Sequence, residues 1–109
     1  GLSVVKGATS VGALQADGTF DVTYALVTTN TGNVTLDNLT LTDDLATQFG
    51  ATAVGAITNY AITGATATGS TAPAAASPAY DGSNALIGAG GVLAVGDSVT
   101  VTFTVNLNP

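Results

Sequence analysis

The chain has 109 residues and a net charge of −6, with no Cys, Met, Trp or His; Lys6 is the one basic residue and all seven acids are Asp. That inventory excludes imidazole bases, thiolate nucleophiles, zinc sites of the usual kind and a disulfide framework. The near-absence of cations also argues against nucleic acid and anionic membrane as partners, because phosphate contacts need Lys or Arg.

The length suits one domain with a single modest core. Hydrophobic residues make up 46% of the chain, but much of that is Ala and the longest apolar run is only a few residues. No membrane insertion is therefore expected. The opening GLSVVKG lacks the charged and apolar regions of a signal peptide, so the sequence reads as a domain cut from a longer secreted protein. The absence of Cys suits an extracellular protein that avoids stray disulfides.

In chain order, the apolar run Leu2–Val5 reads as a first strand and Asp17-Gly18 as a turn. In TFDVTYALVTTN, Phe20, Val22, Tyr24 and Leu26 form one face and Asp21, Thr23, Ala25 and Val27 the other, a half-buried strand. Asn30, Gly32 and Asn33 follow as turn residues that tolerate φ > 0. Leu39–Leu41 reads as a short strand. In DDLATQF, Asp43 or Asp44 is placed to cap one helical turn, the only helix expected. Val54–Ile62 is the next strand.

Residues 63–79 are low in complexity, hold two of the three prolines, and read as a long surface loop or irregular edge. Asp81-Gly82, Gly90-Gly91 and Gly96-Asp97 are turn signals around the short runs Leu86–Ile87 and Val92–Val95. The clearest signal comes last: Val99, Val101, Phe103, Val105 and Leu107 alternate with Thr and Asn. About seven short strands separated by turns predict an all-β domain, an antiparallel β-sandwich. Strands of about ten residues predict a module roughly 35–40 Å long, and an odd strand number puts the termini at opposite poles.

DGTFDVTYALVTTNTGNVTLDNLTLTDDLATQFG and SPAYDGSNALIGAGGVLAVGDSVTVTFTVNLNP resemble the immunoglobulin-like "NTGN…TLTD" tandem repeats of large bacterial surface and extracellular proteins, a family of unknown function. The resemblance spans nearly the whole chain and is weakest in 63–79. It implies an immunoglobulin-like sandwich, a location outside the cell or on its surface, and neighbouring copies joined head to tail.

Two chemistries are weighed against plain scaffolding. Lys6, the sole cation, is a candidate for an intramolecular isopeptide crosslink to Asn30, Asn106 or Asn108 assisted by Asp21; the chemistry needs a desolvated amine and a carboxyl of raised pKa. A plain Lys6–Asp21 surface pair is the bland counterpart, worth ~0–1 kcal/mol. Asp43 and Asp44 are the best candidates for a calcium site, although no D-x-D-x-D-G loop occurs. Otherwise no cofactor is implied. Asn33 and Asn38 formally head glycosylation triplets, which the bacterial resemblance makes idle.

An enzyme is not expected. Paired carboxylates that cleave glycosides work in a cleft with an aromatic platform, and three Tyr, three Phe and no Trp supply none. The expected function is a non-catalytic structural repeat, a stalk or spacer that stacks end to end. The alternative is an adhesin-type module recognising a glycan or protein ligand, from a host or a cell surface, through loop 63–79 and exposed Tyr60 and Tyr80. The residues Asn30, Gly32, Asn33, Asp81 and Gly82 are read as structural turns.

Overall fold

A computed structural model describes residues 1–109. Four strands, β1 (Leu2–Val11), β2 (Phe20–Asn30), β3 (Val54–Gly64) and β4 (Ser98–Leu107), form one antiparallel sheet in the order β1-β2-β4-β3. Between β2 and β3 lie a single helical turn, α1 (Leu45–Phe49), and a 3-10 turn, Ala51–Ala53.

The register follows from the alternation. Pairing Val22 with Val105, Tyr24 with Phe103 and Leu26 with Val101 puts the large apolar side chains of β4 and, Val27 excepted, those of β2 on one face. Phe103 is wholly buried there, its ring 5.8 Å from Tyr24 and 5.0 Å from Tyr80. Burying such a side chain stabilises by ~1.5–3 kcal/mol. On the opposite face, Thr23 and Thr104 hydroxyls meet at 2.8 Å across the same two strands.

The core is closed by Leu39, Leu41, Leu45, Leu86, Ile87 and Leu93, all buried. The segments that carry them are extended but barely laddered. Isolated antiparallel bridges join Leu36 to Leu93, Thr42 to Ala85, Thr71 to Val92 and Ala75 to Ile87. The chain is thus all-β, with one four-stranded sheet under an irregular layer. Three of the expected strands, Leu39–Leu41, Leu86–Ile87 and Val92–Val95, appear as bridged segments instead. The interruptions have local causes: Asn38 takes a positive φ of 50°. Gly88 donates to the Ala74 carbonyl at 2.8 Å, and a Cβ there would lie 2.5 Å from the Ala75 carbonyl oxygen.

Asp44, not Asp43, caps α1: its carboxylate accepts from the Thr47 N–H at 3.1 Å and the Thr47 hydroxyl at 2.8 Å. β3 ends at Gly64, and the loop that follows forms one edge of the irregular layer.

β1 and β4 flank β2 and run in the same direction. β1 begins opposite Asn30, where β4 also begins, and β4 ends opposite Phe20 and Val54 at the far pole. The molecule is elongated, 48 × 24 × 20 Å. It is longer than the roughly 35–40 Å that strand length alone predicts.

Candidate functional site

A polar constellation is built around Lys6, the sole cation. β1 contributes Lys6 on the face toward the irregular layer. Its Nζ lies 2.9 Å from Asp43 Oδ2 and 3.2 Å from Oδ1, donates to Gln48 Oε1 at 2.7 Å, and sits 4.5 Å from the centroid of the Tyr24 ring. Tyr80 donates its hydroxyl to the Asp43 carbonyl. The two charged side chains are 24% and 13% exposed, so the pair is shielded but not sealed. Burial first, and the Asp43 charge second, push the Tyr24 and Tyr80 hydroxyls above their ordinary pKa; Asp81 and Asp44 add to the effect at Tyr80. Chemically this is an ion pair over an aromatic ring that fastens the edge strand to the layer above it.

None of the crosslink partners anticipated for Lys6 is beside it. Asp21 instead accepts from the Asn106 amide at 2.9 Å and from Gln15 at 3.2 Å, on the opposite face of the sheet, and Asn106 also donates to Thr19 Oγ1 at 3.0 Å. Asn108 bonds through its backbone to the Ala53 carbonyl at the far pole. The Lys6–Asp43 contact spans 37 residues of sequence. Its only sequence signal was the singularity of the cation.

Asn30 is 1% exposed. Its amide donates to the Val34 carbonyl at 2.8 Å and the Leu93 carbonyl at 3.0 Å, while its Oδ1 accepts from the Gly32 N–H at 3.0 Å. Its backbone pairs with Asp97 and Gly96. One side chain therefore ties both loops of this pole to the end of β2. Asn30, Gly32 and Asn33, read as turn residues that tolerate a positive φ, do not adopt one, whereas Gly82 has a φ of 101°. Gly32 is required for space instead, since a Cβ there would lie 2.8 Å from the Gly1 nitrogen.

Three further acids serve turns. Asp81 accepts from the Ser83 N–H and hydroxyl, both at 2.9 Å. Asp17 accepts from the Thr19 hydroxyl and N–H at 2.6 and 3.0 Å. Asp97 gathers Ser70 Oγ at 2.6 Å, Ser98 N at 2.8 Å and Ala67 N at 3.1 Å. These donors hold all three carboxyls below their ordinary pKa: the Thr19 hydroxyl foremost at Asp17, the Ser83 N–H at Asp81 and the Ser70 hydroxyl at Asp97. Asp43 is committed to Lys6 and Asp44 to the helix cap. No three acidic side chains converge on a point where a metal ion could be held.

The aromatic handles of the adhesin alternative need correction. Tyr80 is buried. Tyr60 packs against the core, donates its hydroxyl to the Leu86 carbonyl and accepts from the Ala76 N–H. Both rings hold the irregular layer on the sheet. The one open cleft, about 440 Å³, lies where the two bridged segments diverge, between Asn38–Thr42 and Ala85–Gly90. Its lining is Ala, Gly, Leu, Ile, Thr and one Asn, so it presents no charge, acid, base or ring.

Comparison with models of known families, with characterised proteins and with solved structures finds no match to this chain.

Proposed function

We propose that this domain is a non-catalytic structural repeat of an extracellular bacterial surface protein or filament, acting as a spacer by end-to-end stacking. The observation that carries this reading is directional. The backbone enters β1 at one pole of a 48 Å long body and leaves β4 at the other, so copies joined in series extend along the long axis. Side-chain chemistry points the same way, because Lys6, Asn30 and six of the seven aspartates bond within the domain and leave no reactive pair facing an open cleft. We also read the four-stranded sheet and its bridged cover as an immunoglobulin-like sandwich. Segments 71–75, 85–93 and 36–42 lie side by side in that order and supply three strand-like runs to the four of the sheet. The location outside the cell and the bacterial source rest on the resemblance of the "NTGN…TLTD" stretches.

The test is nitrogen-15 relaxation on two copies fused directly in tandem. Stacked copies share one slow, anisotropic tumbling time. Copies that relax nearly as fast as an isolated domain contradict the proposal, because junctions able to decouple their ends behave as flexible coils.

A further inference from the structure

The contact between β1 and the irregular layer points to a site of covalent modification: we infer that Lys6 Nζ condenses with the Asp43 side chain to an intramolecular amide, an isopeptide bond. The inference rests on the geometry of this pair and stands whether or not copies stack.

Both carboxyl oxygens of Asp43 lie close to the amine, Oδ2 at 2.9 Å and Oδ1 at 3.2 Å. A nitrogen that near to both oxygens is within near-attack distance, roughly 3–3.5 Å, of the carbon between them. The two oxygens are not equivalent. Oδ1 accepts a hydrogen bond from Nζ. Oδ2 is buried from water and, in spite of its short contact with Nζ, has no hydrogen-bond partner. Keeping an ionised oxygen in that state is costly. Condensation to an amide removes one carboxyl oxygen and both charges of a shielded ion pair, whose desolvation otherwise works against it.

The surroundings prevent the two groups from drifting apart. Thr42 is bridged to Ala85, the Tyr80 hydroxyl donates to the Asp43 carbonyl, and Asp44 caps α1, so the backbone is held before, at and after Asp43. Lys6 sits in the regular part of β1, opposite Leu26. Gln48 Oε1 accepts another Nζ proton at 2.7 Å, and the Tyr24 ring covers the amine at 4.5 Å. Groups confined in this way react with effective molarities of roughly 10⁵–10⁸ M, which offsets the bias of water against condensation.

The ion pair is the reactant. Nζ passes one proton to the carboxylate, leaving a free amine beside a carboxylic acid. The nitrogen lone pair forms a bond to Cγ as the π pair of the C=O moves onto oxygen. A second proton moves from nitrogen to the hydroxyl oxygen, the C–O bond breaks, and water departs as the carbonyl re-forms. Two of the three ammonium protons leave in that water and the third stays on the amide nitrogen, so the step balances without another reactant. The bond closes a ring spanning 37 residues of sequence. Residues 7–42, β2 among them, then lie outside the line of any tension carried along the chain.

The experiment is intact-mass spectrometry of the whole chain, held folded until its mass is constant and then unfolded in urea. A mass about 18 Da below that of the sequence is expected, the loss of one water. Lys6 is the only trypsin site in the chain, and its acylation is expected to leave the unfolded protein uncut. Fragmentation is expected to place the loss on a linked pair of peptides containing Lys6 and Asp43. Lys6→Arg keeps a cation at the site but has no nucleophilic amine, so it should show the full sequence mass and be cut. A wild-type chain of full mass that trypsin cleaves overturns the proposal. So does a loss of about 17 Da, which is ammonia released by attack on the Gln48 carboxamide instead. An 18 Da loss that persists in Lys6→Arg also overturns it, because ring closure at Asp17-Gly18 or Asp81-Gly82 then accounts for the missing water.

Discussion

Replacing Asn30 by Ala removes the clasp of one pole, and the structure sets the cost. Three bonds disappear, but the groups they leave differ. The Leu93 carbonyl keeps the Leu36 N–H at 2.9 Å, whereas the Val34 carbonyl and the Gly32 N–H lose their Asn30 partner. Each buried group left unpaired costs ~1–3 kcal/mol. Val34 is exposed and Gly32 half-buried, so water relieves part of that penalty. The expected loss is ~2–4 kcal/mol, a large share of the ~5–15 kcal/mol of a typical domain. With a urea m-value near ~1.5 kcal/mol per molar, the midpoint should fall by about 1.3–2.7 M at unchanged m. Asn30→Asp should be no milder, because it deletes both donors and introduces a buried charge. Urea titration followed by far-ultraviolet circular dichroism measures this directly. A loss below ~1 kcal/mol for Asn30→Ala would refute the argument that this side chain holds the two loops to the sheet.

Other perturbations test other parts of the account. Lys6→Met should cost ~1–2 kcal/mol in urea titration by leaving Asp43 unpaired, and Asp43→Asn in the same chain should recover part of it. Gly64→Ala, where φ is +90° and a Cβ would lie 2.6 Å from the Ser98 carbonyl oxygen, should lower the thermal midpoint strongly; Gly7→Ala, with nothing within 4 Å, should be neutral or slightly stabilising. Asp17, Asp81 and Asp97 have folded pKa values below the ordinary 3.8, so the stability they supply is present above that value and is lost as pH falls through the lower folded values. Tyr24 and Tyr80 have folded values above the ordinary 10, so their contribution is complete below pH 10 and is lost as pH rises beyond it. Denaturation midpoints across pH should fall at both extremes and stay level between.

The strands were legible where side-chain alternation was strong. β4 and the first part of β2 could be read residue by residue because the inward positions Val99 to Leu107 and Phe20 to Leu26 are large and apolar. β1 was legible only as Leu2–Val5, since Gly7, Ala8, Thr9 and Ser10 carry no amphipathic pattern; its extension to Val11 comes from pairing with β2. The short runs near Leu39, Leu86 and Val92 were correctly apolar, yet Asn38 and the neighbouring glycines keep them from laddering. Asn30 looked like a turn residue. Its place as the last inward position in the series Val22, Tyr24, Leu26, Thr28, Asn30 was the signal that it would be buried. Nothing local could link Lys6 to Asp43, because that contact depends on where the irregular layer folds over the sheet.

The central claim is that copies in series form a stiff line. Small-angle scattering on one, two, three and four directly fused copies tests it most directly. Stacking through the poles predicts a maximum dimension that grows by nearly one 48 Å module length with each added copy. Growth closer to the square root of copy number, the behaviour of independently tumbling modules on flexible joints, would contradict it.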